Sequence, residues 1–233
     1  MALPKNNLPV YTLTIPSTKK TLKYRPFVVK DEKALLIAQQ SENEDVMLDT
    51  LREVIESCAV NDIDVDSLAI FDIEYIFTQL RAVSVGEIIQ LVFSCDTCDD
   101  PNAKAGVSIN LQQIKVDVPS DHITKIPLFD DVGITMKYPT INTVKALGES
   151  DDIALETILD CIDFVYNSDE VFSAKDESID ELTEFLNNLT SEQYAKIENF
   201  FVTMPRLRYD FSYTCPVCGT VHNRYIEGLA SFF

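Results

Sequence analysis

The sequence is poor in the residues that most enzymes use for chemistry. It contains two histidines, His122 and His222, and neither lies in a catalytic motif. Six glycines leave little material for a phosphate-cradling loop, and no glycine-rich loop is present. No apolar run is long enough to span a bilayer, so no transmembrane helix is expected. The first residues, Met1-Ala2-Leu3-Pro4-Lys5-Asn6-Asn7, lack the apolar stretch of a signal peptide, which points to a chain that is cytosolic at synthesis. Bases are scarce as well: 19 Lys and Arg stand against 38 Asp and Glu, for a net charge of −19. That field repels phosphate and disfavours general nucleic-acid binding, while it favours solubility.

The charge is unevenly spread. Residues 1–33 carry seven bases and only two acids, a local +5 that leaves −24 on the other 200 residues. The acidic remainder keeps copies apart and would steer the protein towards a basic partner. With 46% hydrophobic residues the chain has enough apolar material for a packed core.

Four of the six cysteines form two short pairs, Cys95-Asp-Thr-Cys98 and Cys215-Pro-Val-Cys218. A two-residue gap lets both thiolates of a pair face one tetrahedral ion, and each pair lies between segments that read as strands, as in a zinc-ribbon knuckle. A redox pair would instead open a helix after a strand, and neither pair here does so. The pairs are separated by 116 residues, so one ion bound by Cys95, Cys98, Cys215 and Cys218 would tie distant parts of the chain together. A structural zinc ion is therefore the expected cofactor. His222, four residues after Cys218, is the alternative fourth ligand. Cys58 falls on a helical apolar stripe and is expected in the core, and Cys161, within a later helix, is expected to be a buried or half-buried thiol.

Residues 9–15 and 21–29 alternate polar and apolar positions around a polar turn and predict a β-hairpin, with Pro26 marking an edge strand. Helices are expected over 31–41, 44–58 and 71–82, the second on the stripe Met47, Leu48, Leu51, Val54, Ile55 and Cys58. The acids at 62–66 resemble the opening of a calcium loop. The required glycine would fall on Ser67 and the closing glutamate on Ile73, so the spacing fails. Residues 87–93 read as a strand, and 107–118 as one long strand or a bulged pair. A short strand is expected near 133–137.

From 139 to 204 the pattern is helical. One helix carries Leu155, Ile158, Leu159, Ile162 and Val165 inward, and capping boxes at Ser178 and Thr190 open two more. Residues 168–177 read as an exposed loop. Tyr209, Phe211 and Tyr213 lead into the second cysteine pair, and 221–226 returns from it. The apolar end, with Leu229, Phe232 and Phe233, is expected to dock on the chain's own core or on a partner.

Several stretches resemble the baseplate hub proteins of T-even-like contractile-tailed bacteriophages. They are residues 23–33 (Lys-Tyr-Arg-Pro-Phe-Val-Val-Lys-Asp-Glu-Lys), residues 71–77 (Phe-Asp-Ile-Glu-Tyr-Ile-Phe) with Leu80-Arg81-Ala82 and Ser84-Val85-Gly86-Glu87 after them, and the ending, a CxxC followed by Glu227-Gly228-Leu229 and Phe232-Phe233. The resemblance spans nearly the whole chain. It implies a viral structural or assembly protein of the tail baseplate without enzymatic activity, with other phage tail and baseplate proteins as partners. Host cytoplasm during assembly, and the virion tail baseplate, are the implied locations.

The expected architecture is α+β, a single hub-type domain over 1–233. A zinc-ribbon-like β part is formed by N-terminal, central and C-terminal strands, with knuckles at 95–98 and 215–218 and helical segments at about 31–84 and 139–204 packed around it. The leading function is a baseplate hub component or hub assembly factor acting through protein–protein binding, with no nucleic acid, membrane or small-molecule substrate. The alternative is a zinc-ribbon nucleic-acid-binding regulator, for which only Lys104, Arg206, Arg208 and Arg224 supply positive charge near the knuckles.

Overall fold

Helices and antiparallel sheets share the chain, an α+β fold as the patterning implies. The structure is a computed structural model that describes residues 6–98, 100–147 and 152–228. The expected docking segment Leu229–Phe233 lies outside the described residues. Two compact units form, one from Met1–Asp117 with Arg206–Phe233 and the other from Val118–Pro205.

In the first unit, strands β1 (Tyr11–Thr14) and β2 (Thr21–Tyr24) pair antiparallel, with Leu13 opposite Leu22 and both buried. Three helices follow, α1 (Val29–Gln40), α2 (Glu44–Cys58) and α3 (Ile70–Ser84). Asn43 caps α2 by accepting the N–H groups of Asp45 and Val46, and Leu51, Val54, Ile55 and Cys58 are buried along one face. Helix α3 buries Phe71, Ile73, Ile76, Phe77 and Leu80.

The β1–β2 turn is tied to α3 by one carboxylate. Ser17 donates its N–H to Asp72 Oδ1 at 2.9 Å and its hydroxyl to Oδ2. Asp72 is fully buried, and burial raises its pKa against the pull of those bonds. Asp72→Ala would strand both Ser17 donors and is expected to cost about 1–3 kcal/mol. A urea titration should show a lower midpoint at unchanged slope; an unchanged midpoint would contradict this role.

Strand β3 (Ile88–Ser94) pairs with β4 (Lys104–Asn110) as a separate two-stranded hairpin. The stretch 107–118, expected as one long strand or a bulged pair, divides here into two strands that join different sheets. The Asn110 side chain accepts the Gln112 N–H at 2.9 Å and turns Leu111–Gln113 into a 3-10 helix. Beyond it, β5 (Lys115–Asp117) joins a different sheet and pairs with β10 (Arg206–Thr214), which also pairs with β11 (Val221–Glu227). Ala82 of α3, Ile89, Ile109, Leu111, Ile114, Leu207 and Ile226 form one core beneath both hairpins.

The second unit holds strands β6 (Lys125–Phe129), β7 (Val132–Met136), β8 (Ile162–Tyr166) and β9 (Val171–Ser173), hydrogen-bonded in that order. Its helices are α4 (Ile141–Leu147), α5 (Ile153–Cys161), α6 (Ile179–Asn187) and α7 (Ser191–Thr203). The helix expected to run through Val165 stops at Cys161. The Ile-Asp-Phe-Val-Tyr run is β-branched and aromatic, and it supplies a central strand instead. Strand β6 went unmarked in the sequence because Pro127 interrupts it, which an edge position tolerates. The other edge, β9, lies in the expected loop. Both capping boxes form, Ser178 with Glu181 and Thr190 with Gln193. Ile126, Leu128, Ile134, Met136, Ile158, Cys161, Ile162, Leu186, Ile197 and Phe200 make this unit's core.

Candidate metal centre

Each cysteine pair sits at the tip of a hairpin. Strand β3 delivers Cys95, whose N–H donates to the Ala103 carbonyl at 2.8 Å. Strand β10 delivers Cys215, whose N–H donates to Thr220 O at 2.9 Å, while Gly219 N–H returns to Cys215 O at 3.0 Å. Gly219 has φ +74°, in the left-handed region where a side chain would add strain. The two tips are aligned by an aromatic ladder. Phe93 lies 4.8 Å from Phe211 and 5.7 Å from Tyr213, ring to ring, and the Tyr213 hydroxyl donates to Ser94 O at 2.9 Å.

The four sulfurs of Cys95, Cys98, Cys215 and Cys218 all lie within 4.8 Å of one another, a cluster that could hold a metal ion. Cys95 and Cys218 are 3.7 Å apart, Cys98 and Cys215 3.9 Å, and all four are free thiols. Cys215 is buried and Cys218 exposed, so the cluster lies at the edge of the unit. Cys58 and Cys161 are buried elsewhere, Cys58 as its place on the apolar stripe of α2 implies.

The protons on this cluster are unevenly held. Burial raises the Cys95 thiol, but donation from the Thr97 and Cys98 N–H groups and contact with His222 outweigh it and bring Cys95 down to about 6. Burial and the neighbouring sulfurs push Cys98 up to about 12. Thr220 lowers Cys218. Such splitting is what close thiols show when negative charges cannot all develop together, and a dication relieves that repulsion.

His222 is not one of the four clustered donors. Its Nε2 lies 3.1 Å from Cys95 Sγ, and its Nδ1 lies 3.2 Å from Asp96 Oδ1. Asp96 also accepts from Arg224, which holds its carboxyl below the usual range and raises the guanidinium in return. The His222 ring is buried and stacks on Tyr213 with centroids 4.9 Å apart. The spacing after Cys218 suggests a ligand role for His222 and gives no hint of these contacts. The alternation of β11, which puts His222 and Arg224 on one face, was the available signal for its contacts with Asp96.

The other histidine serves packing. His122 meets Thr203 Oγ1 and Tyr138 Oη at 3.0 Å each, and its ring lies tilted against Phe200 with centroids 5.1 Å apart. Of the bases near the knuckles, Arg206 pairs with Glu227 at 3.0 Å, Arg208 with Asp210 at 2.8 Å and Arg224 with Asp96, while Lys104 is exposed.

Fold and cluster together define an α+β protein in which two hairpins converge on a four-cysteine centre. The chain belongs to the T4 bacteriophage base plate protein family, whose model matches residues 8–233. It is thus a phage baseplate protein, a component class of the virion tail. No curated protein and no solved structure matches the chain.

Proposed function

We propose that the chain is a baseplate hub component or hub assembly factor that works through protein–protein contact, with a structural zinc ion held by Cys95, Cys98, Cys215 and Cys218. The observation that carries the metal part is the sulfur geometry. Zinc–sulfur bonds of about 2.3 Å in a tetrahedron require sulfurs about 3.8 Å apart; two of the four cross-hairpin sulfur pairs lie at 3.7 and 3.9 Å, and all four sulfurs lie within 4.8 Å of one another. With four thiolates bound, the ion would have no position open to substrate, so its role would be that of a staple and not of a catalyst. The ion would supply cross-linking alone, while Gly219 and the Tyr213–Ser94 bond shape the tips that receive it.

Membership of the baseplate family supports tail and baseplate proteins as partners. The basic N-terminal stretch and the acidic remainder suit docking onto neighbours of opposite charge. The nucleic-acid alternative is weakened by the carboxylate partners of Arg206, Arg208 and Arg224, which offset the positive charge beside the knuckles. No membrane or small-molecule substrate enters this reading.

Tagged protein expressed with the other tail proteins of its source phage should retain at least one of them through a salt wash. Recovery of the chain alone, from cells assembling complete tails, would contradict the assembly role.

A further inference from the structure

The metal reading leaves unexplained why a buried histidine sits against one of the four sulfurs. His222 touches Cys95 from outside the cluster, and its partners come from both hairpins. Cys95 and Asp96 belong to the first knuckle, while His222 and Arg224 belong to β11 of the second hairpin. The ring has little freedom, being stacked on Tyr213, whose own hydroxyl reaches back to Ser94 of β3.

We propose that His222 is the positioning residue of the metal centre, donating its Nε2–H to the Cys95 sulfur while Arg224, two residues along β11, holds Asp96, so that the two knuckles are clasped and both cysteine pairs converge before any ion arrives. This rests on the metal reading above. Three physical arguments carry it. A metal-bound thiolate has no proton of its own and can only accept, so a nearby ring N–H finds a ready partner there. Such a bond withdraws electron density from one sulfur and lowers its tendency to leave the ion as a nucleophile. Convergence across 116 intervening residues also carries a loop-closure cost, and a clasp that brings the tips together in the metal-free protein removes part of it from the binding step.

The test uses the full chain loaded with cobalt(II), whose thiolate charge-transfer bands report on the sulfurs directly. His222→Ala is compared with His222→Gln, which keeps a side-chain N–H donor, and with Asp96→Asn. His222→Ala is expected to bind cobalt about tenfold to a hundredfold more weakly, the range found when outer partners of metal ligands are removed. It should also shift the charge-transfer bands and make Cys95, rather than Cys98 or Cys215, the thiol first alkylated in peptide mapping. His222→Gln should recover most of the affinity and protection, and Asp96→Asn should fall between.

Wild-type affinity, bands and alkylation order in His222→Ala would overturn the proposal while leaving the metal reading intact. Equal loss in both His222 variants, with no preference for Cys95, would also overturn it, since that is what general loosening gives. A wild-type chain that takes up no cobalt and no zinc would remove the metal reading and this proposal together.

Discussion

Cys215→Ser is expected to abolish metal retention and to destabilise the protein by more than about 4 kcal/mol, a loss characteristic of a missing metal. The reason lies in how the two hairpins are built. The β3–β4 pair is an isolated two-stranded sheet, and such hairpins are marginal on their own in water. Its root packs through Ile89 and Ile109 into the core shared with Leu207 and Ile226. Its tip is joined to the second hairpin by the sulfurs, the aromatic ladder and the Asp96 contacts. Zinc binding by small modules contributes about 10–16 kcal/mol of apparent free energy, part of which would appear as folding stability here if the centre is loaded. Serine offers a poor ligand and leaves three thiols facing one another. Thermal unfolding with metal analysis of the same sample checks this. A variant with wild-type midpoint and no metal would show that the centre does not hold the fold.

The second large effect belongs to the other unit. Phe200→Ala is expected to cost about 3–5 kcal/mol. Phe200 is buried and its ring lies 5.1 Å from His122, 5.7 Å from Tyr138 and 5.1 Å from Phe201. Truncation removes the surface on which the His122–Tyr138–Thr203 hydrogen bonds rest, so polar groups are loosened along with the cavity formed. Metal content should stay at the wild-type level, because all four sulfurs belong to the first unit. Denaturant unfolding and metal analysis together check both parts. A cost below about 1 kcal/mol, or loss of metal, would contradict the division of the chain into these two cores.

How much of this was legible depended on whether a signal was local. The stripe from Met47 to Cys58 gives helix α2 with its bounds, because one apolar face at helical spacing suffices to bury it. The cysteine spacing likewise marks the residues that converge, since two thiols with two residues between them on a hairpin tip need only a second pair to meet. Non-local features were hidden. Strand β6 carries Pro127, and β9 is three residues long within an acidic stretch, so neither reads as a strand until β7 and β8 are beside it. The end of α5 at Cys161 is set by the sheet's demand for a central strand and not by a cap. The break at Asn110 follows from one side-chain hydrogen bond, and it sends β5 to a partner some ninety residues away, β10. The contacts of His222 with Cys95 and Asp96 needed the two hairpins side by side to be seen at all.

The central claim is that Cys95, Cys98, Cys215 and Cys218 jointly hold one metal ion that staples the hairpins of a baseplate protein. Metal analysis of the chain purified without added metal, with reactive thiols counted in the same sample, tests it most directly. The account predicts about one zinc per chain, with the four clustered thiols protected until a chelator is added. Less than about half an equivalent of metal, with all four thiols freely reactive in the folded protein, would contradict it.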